Sequence, residues 1–208
     1  MEPMKILTLL NGPVEENCYV LSEGSQALVI DPGSSPKELM SAIDSQGLKP
    51  VLILATHAHF DHVGAVEALA KAYGAPFAMH AADLKMLETL EDTYTFYGMG
   101  KTQKPVVSRE LKGGDRIDAA GIQLKAIHTP GHTPGGLCFY HEASGSLFSG
   151  DTLFRRSIGR SDFEGGDQQK LVASIKSQLL TLPETTKVYP GHGEPTSIAE
   201  EKKENAFL

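Results

Sequence analysis

A chain of 208 residues has room for one well-filled core and little more, so a single domain spanning 1–208 is expected. Its formal charge of −7, with 19 Lys and Arg against 26 Asp and Glu, argues against the basic face a nucleic-acid partner needs. No run approaches about 18 apolar residues and the opening Met1-Glu2-Pro3-Met4-Lys5 carries no basic leader, which makes a cytoplasmic protein without a membrane partner the expectation.

Three short strands are predicted first, Met4 to Leu10, Cys18 to Ser22 and Gln26 to Ile30, before Asp31-Pro32-Gly33 breaks the meander. Pro36 suits a first helical position, with Ser35 and Glu38 at capping-box spacing, and Leu39, Met40 and Ile43 supply one apolar face. Val51 to Ala55 is continuously apolar, as in a strand buried on both faces. Val63, Val66, Leu69, Ala70 and Tyr73 then recur at helical spacing until Gly74 and Pro76. A strand at Phe77 to Met79 and a helix over Ala82 to Leu90 follow. The stretch from Leu90 to Lys104 reads as irregular, its Tyr94, Phe96 and Tyr97 serving to anchor a loop or to wall an apolar pocket.

Strand patterns resume after Asp115, at Ile122 to Ile127, Leu137 to Tyr140 and Ser146 to Phe148. Leu171, Ile175 and Leu179 form one stripe of a helix over Lys170 to Leu179, Lys187 to Tyr189 is a last strand, and Ser197 with Glu200 repeats the capping-box spacing. Strands with a helix in each half pack naturally as two sheets covered outside by helices, an α/β chain in four αββα layers. Cys18 and Cys138 sit in apolar contexts and are expected as buried free thiols.

The chemistry concentrates at the end of the apolar run, where His57-Ala58-His59-Phe60-Asp61-His62 puts four metal-capable side chains into six residues. His57 and His59 alternate, so on extended backbone both imidazoles point to one side and can meet one ion. Asp61 and His62 follow at the turn into a helix and can face a second position. Three more loops each place donors just past an apolar run: His128-Thr129-Pro130-Gly131-His132, Gly150-Asp151, and Gly191-His192.

This pattern resembles the metallo-β-lactamase superfamily and, within it, the glyoxalase II-like hydrolases, over residues 4 to about 195. The resemblance implies a four-layer αββα sandwich and two metal sites: His57, His59 and His128 at the first, Asp61, His62 and His192 at the second, with Asp151 bridging. It implies two divalent ions, zinc foremost, with iron or manganese as alternatives that such donors also suit. A pair of ions sharing a water lowers its pKa and holds it as hydroxide, and Asp61 would help orient that nucleophile. The implied substrate is an anionic small-molecule thioester of the hydroxyacylglutathione type, cleaved to an acid and a free thiol. Full-length glyoxalase II enzymes continue into a helical domain that supplies much of their glutathione site, whereas this sequence stops at Leu208, so glutathione specificity is the weaker implication.

A second resemblance, through Gly150-Asp151 and Gly159-Arg160-Ser161-Asp162-Phe163, is to the superfamily's persulfide dioxygenases, with one iron on His57, His128 and Asp151. A binding module that merely retains metal is a third reading, disfavoured because every ligand position is filled. His132 is expected to support the site rather than bind metal, His80 and His141 to be ordinary packing histidines, and Thr56, Thr129, Gly131 and Gly150 to shape the ligand loops. Arg155, Arg156 and Arg160 either tie their loop down through salt bridges or rim an anion site.

Overall fold

In a computed structural model describing residues 3–208, leaving Met1 and Glu2 of the amino-terminal stretch outside the described residues, two six-stranded sheets face each other. The first runs in spatial order β1 (Lys5–Asn11), β2 (Glu16–Glu23), β3 (Gln26–Ile30), β4 (Lys49–Leu54), β5 (Phe77–His80), β6 (Val107–Leu111). Its first three strands form the antiparallel meander, and β3 through β6 run parallel. The second orders β7 (Arg116–Ala119), β8 (Ile122–His128), β9 (Leu137–His141), β10 (Ser146–Gly150), β13 (Lys187–Pro190), β14 (Thr196–Ser197), with β10 and β13 its parallel pair. A small ribbon, β11 (Leu153–Phe154) with β12 (Ser157–Ile158), follows β10.

Side-chain alternation sorts each strand between two cores. Tyr19, Leu21, Leu28, Ile30, Leu52 and Leu54 point inward and meet Leu124, Ala126, Phe139 and Phe148 of the facing sheet. The intervening Cys18, Val20, Val29 and Ile53 point outward under α1 (Pro36–Ser45) and α3 (Val66–Tyr73), whose Leu39, Ile43, Val66 and Leu69 cover them. On the far side Ile127, Cys138, Leu147 and Val188 pack beneath α5 (Gln168–Ser174), its π-helical continuation Ile175–Leu179, and α6 (Ile198–Glu204). Four layers result, as expected. Cys18 and Cys138 are buried free thiols in these two outer cores, on opposite sides of the sandwich.

Several expectations shift locally. The helix read from Val63 to Tyr73 divides into a single turn, α2 (Phe60–Val63), and α3, which stops at Gly74 as the sequence indicates. The segment read as a helix over Ala82 to Leu90 is a 3-10 helix, Ala81–Thr89, and Leu90–Phe96 beyond it forms α4 rather than irregular chain, burying Leu90 and Tyr94. β6 escapes the sequence reading because as an edge strand it exposes Ser108, Arg109 and Glu110. Ser35 adopts left-handed backbone at φ 47 and makes no side-chain cap, so the first capping box does not form, whereas Ser197 accepts from Glu200 N at 3.2 Å. Among the described residues no helix is long and apolar enough to cross a membrane.

Candidate metal centre

Every strand that feeds the site does so at the same edge of the sandwich. β3 ends before Asp31, β4 before Thr56 and His57, β10 before Asp151 and β13 before Gly191 and His192, all at carboxyl ends, where open α/β sheets place their ligands. The two sheets are joined there by β2. Asn17 Nδ2 donates to Pro190 O at 3.0 Å and Gly193 O at 2.9 Å, Tyr19 OH donates to Pro190 O at 2.6 Å, and Asn17 N bonds Gly191 O at 2.7 Å. A side chain on Gly191 would meet Asp151 Oδ1 at 2.3 Å, so only glycine lets this loop pass so close to the donors.

Three imidazole nitrogens converge first. His57 Nε2 lies 3.0 Å from His59 Nδ1, and His132 Nε2 lies 3.2 Å from the former and 2.9 Å from the latter. Tetrahedral ligands about 2.05 Å from one zinc stand roughly 3.3 Å apart, so these nitrogens are spaced nearly as a shared ion requires. The second group is Asp61, His62 and His192, with Asp61 Oδ2 3.3 Å from His192 Nε2 and 3.8 Å from His62 Nε2. Asp151 stands between them: its Oδ1 is 3.4 Å from His62 Nε2, and its Oδ2 is 3.6 Å from His132 Nε2 and 3.8 Å from His192 Nε2.

The fit to cations does not rest on spacing alone. His62 Nε2 and Asp151 Oδ1 are buried without any hydrogen-bond partner, a costly arrangement for polar atoms unless an ion takes their lone pairs. The remote nitrogens of the histidines are anchored instead: His62 Nδ1 to Asp31 Oδ2 at 3.0 Å, His57 Nδ1 to Thr56 Oγ1 at 3.1 Å, His132 Nδ1 to Arg160 O at 2.5 Å and His192 Nδ1 to Val14 O at 3.1 Å. Such outer bonds fix the tautomer and aim the free nitrogen inward.

His128 is corrected. It ends β8 on the face that points between the sheets, and its ring stacks on His80, which ends β5 on the same inner side, with centroids 4.4 Å apart and planes 6° from parallel. Its Nε2 is taken by Pro134 O at 3.0 Å. The strand's alternation thus commits His128 to a partner away from the donors, and the following loop folds back to present His132, four residues on. The dioxygenase trio of His57, His128 and Asp151 is not brought together either. His141 is the packing residue expected, held to Ser144 Oγ at 2.7 Å.

Electrostatics separate the groups. Burial, reinforced by neighbouring imidazoles, holds His57 well below its ordinary pKa and His59 down at about 4, which leaves both as neutral ligands. Burial also opposes charge on His62, but Asp151, Asp61 and Asp31 outweigh it and raise His62 well above the ordinary value. His192 is likewise raised: burial opposes, and the bond to Asp61 with the charge of Asp151 prevails. Burial would lift Asp61 and Asp151, yet His62 beside them keeps both below the usual carboxylate range.

Three residues here had not been singled out. Asp31, read only as a strand break, accepts from Thr56 N at 2.7 Å and Thr56 Oγ1 at 2.6 Å besides holding His62; its place directly after an apolar strand was the available signal. Asp83 is fully buried and accepts from Thr133 Oγ1 at 2.7 Å and Gly135 N at 2.6 Å, fastening the His132 loop. Glu16, buried behind His62 at 4.0 Å, has both oxygens without a hydrogen bond, and burial raises its pKa well above normal. No sequence pattern marks the last two. The arginines are salt-bridged rather than arrayed as an anion rim: Arg155 and Arg156 reach Glu200 at 3.2 and 3.3 Å, and Arg160 grips Asp162 with two bonds of 3.0 and 2.9 Å.

A model of the metallo-β-lactamase superfamily matches residues 11–192. The chain is 36% identical to BLEG-1 B3 metallo-β-lactamase at a TM-score of 0.92, covering 98% of this chain and 99% of that one. It is 40% identical to TTHA1623, seen in a di-iron-bound form, at a TM-score of 0.90 with 97% and 100% covered. It is also 32% identical over 197 residues to hydroxyacylglutathione hydrolase GloC of Haemophilus influenzae (strain ATCC 51907 / DSM 11121 / KW20 / Rd), with 93% of each chain covered.

Proposed function

Since this chain belongs to the metallo-β-lactamase superfamily and its donor clusters support a metal-dependent hydrolase, we propose that the bond it cleaves is a thioester, with a hydroxyacylglutathione as the leading substrate. The observation that carries the reading is the pair of orphaned, buried donors, His62 Nε2 and Asp151 Oδ1, set between two convergent ligand groups. His57, His59 and His132 would hold one ion, Asp61, His62 and His192 the other, and Asp151 would serve both. When bound, such a pair supplies a hydroxide from water at neutral pH and polarises the substrate carbonyl.

The chain's own groups do the rest. Asp61, kept ionised beside His62 and His192, accepts a hydrogen bond from the attacking water and aims it. Burial of His57 and His62 excludes bulk solvent, so that interactions with charge developing on the carbonyl oxygen are strengthened. A thiolate leaves without strong acid assistance, so the reaction requires no general acid from the chain. The donor set suits zinc, and the di-iron form of TTHA1623 puts iron next in order.

The test is metal analysis of protein prepared without metal supplementation, paired with turnover of S-lactoylglutathione, simpler thioesters and glutathione persulfide. Two ions per chain with release of free thiol is the expected result. One iron per chain with oxygen consumed on the persulfide would replace hydrolysis with oxygenation.

A further inference from the structure

Two cavities flank the donor cluster, and they differ in lining. One, of about 330 Å³, opens beside His59 and is walled by Ala58, Phe60, Met86, Leu90, Pro134 and Phe163. The other, of about 590 Å³, opens beside His192 and carries the carboxylates Glu15 and Glu194. Phe163 closes the first cavity edge-on against His59, with ring centroids 5.2 Å apart, and is backed by the Arg160 guanidinium 4.4 Å from its ring. The charges of the first cavity, Lys85 and Glu164, pair with each other at 3.4 Å with side chains 87% and 93% exposed, so they mark the rim and not the interior. Thr89 turns its hydroxyl to Met86 O at 3.3 Å.

We propose that the cavity beside His59 is an acyl pocket that selects thioesters whose acyl group is uncharged and apolar, in preference to a small hydroxyacyl group. The inference rests on the thioester reading and keeps it, but replaces the hydroxyacyl group of the leading substrate with an apolar one. His59 is one of the ligands and also part of the wall, so a group seated here is directly continuous with a carbonyl at the metal centre. An ionised acyl chain entering this space would lose water against Ala58, Phe60, Met86, Leu90, Pro134 and Phe163, while the charges of Lys85 and Glu164 stay at the exposed rim. An apolar chain gains from every methylene removed from water, whereas the cavity beside His192 sets Glu15 and Glu194 among its apolar residues Leu10, Val14 and Tyr19.

The experiment holds the thiol constant and varies the acyl group: glutathione thioesters of acetate, lactate, butyrate and hexanoate, with the half-thioester of adipic acid as a charged chain of the same length as hexanoate. kcat/KM is expected to climb about fourfold per methylene until the cavity is filled, to place hexanoyl well above lactoyl, and to fall at least about tenfold from hexanoyl to adipoyl. Thr93→Phe, which narrows the pocket from α4, and Ala82→Leu, from the preceding 3-10 helix, should each reduce hexanoyl turnover while acetyl turnover and metal content stay as in the parent. Thioester cleavage with no acyl preference, or a preference that both variants leave intact, overturns the acyl pocket and leaves the hydrolase reading standing. Cleavage of no thioester at all removes both.

Discussion

His57, His59 and His132 bring imidazole nitrogens together at 2.9–3.2 Å, whereas the Nε2 atoms of His62 and His192 face carboxylate oxygens at 3.3–3.8 Å. The first group is pressed toward neutrality by burial and by its own imidazoles; in the second the carboxylates shift the histidines the other way, to higher pKa. One cluster therefore offers two unlike groups of donors, a nitrogen-rich one and a harder, oxygen-bearing one, and Asp151 reaches toward both, with Oδ1 3.4 Å from His62 Nε2 and Oδ2 3.6 Å from His132 Nε2. The halves are also held differently. Asp31 fixes the second from inside its own sheet, while the first depends on a loop from the facing sheet that Asp83 and Arg160 O hold in place.

The strongest break in this symmetry of roles is at the shared residue. Asp151→Ala should empty both positions and lower turnover by more than about a hundredfold, beyond what loss of an outer partner causes. His141→Ala, on a histidine bonded to Ser144, should leave metal content unchanged. Metal quantification on both proteins decides it; equal loss from the two would mean that Asp151 does not join the halves.

A smaller effect separates the halves from each other. His132→Ala should remove the ion of the imidazole group and keep the other, leaving about one equivalent, while His128→Ala should retain two. If His128→Ala instead costs one equivalent and His132→Ala costs none, the ligand assignment reverses.

That pair of histidines also marks how far the sequence could be read. The His57–His62 corner is legible because four donors crowd into six residues after an unbroken apolar strand, and the sandwich is legible because Cys18-Tyr19-Val20-Leu21 and its counterparts alternate between two apolar faces. The choice between His128 and His132 is not, since both follow the same strand and only the partner across the sheets, His80 at the end of β5, claims one of them. Asp83 is illegible for a related reason: its partners Thr133 and Gly135 lie 50 and 52 residues further along the chain, and their bonds exist only once the sheets have closed. α4 left a trace in Leu90 and Tyr94 four apart, the two residues it buries, but nothing extends that stripe.

The mildest prediction concerns how the carboxylate half is aimed. Asp31 Oδ2 receives both Thr56 Oγ1 and His62 Nδ1, so the carboxylate holds His62 in the tautomer whose Nε2 lone pair faces Asp151. Asn in its place keeps the shape but has one oxygen where two are used, and its amide nitrogen would present a donor to Thr56 N–H or to His62 Nδ1–H. Asp31→Asn should therefore weaken metal at the His62 position by about 10- to 100-fold and the three-imidazole position less, because Asp31 Oδ2 reaches His57 only through Thr56 Oγ1 and His132 is anchored on Arg160 O. Competitive chelator titration resolves the two affinities. A uniform weakening of both would mean that Asp31 supports the whole edge through Thr56, and the halves would then be one mechanical unit despite their different chemistry.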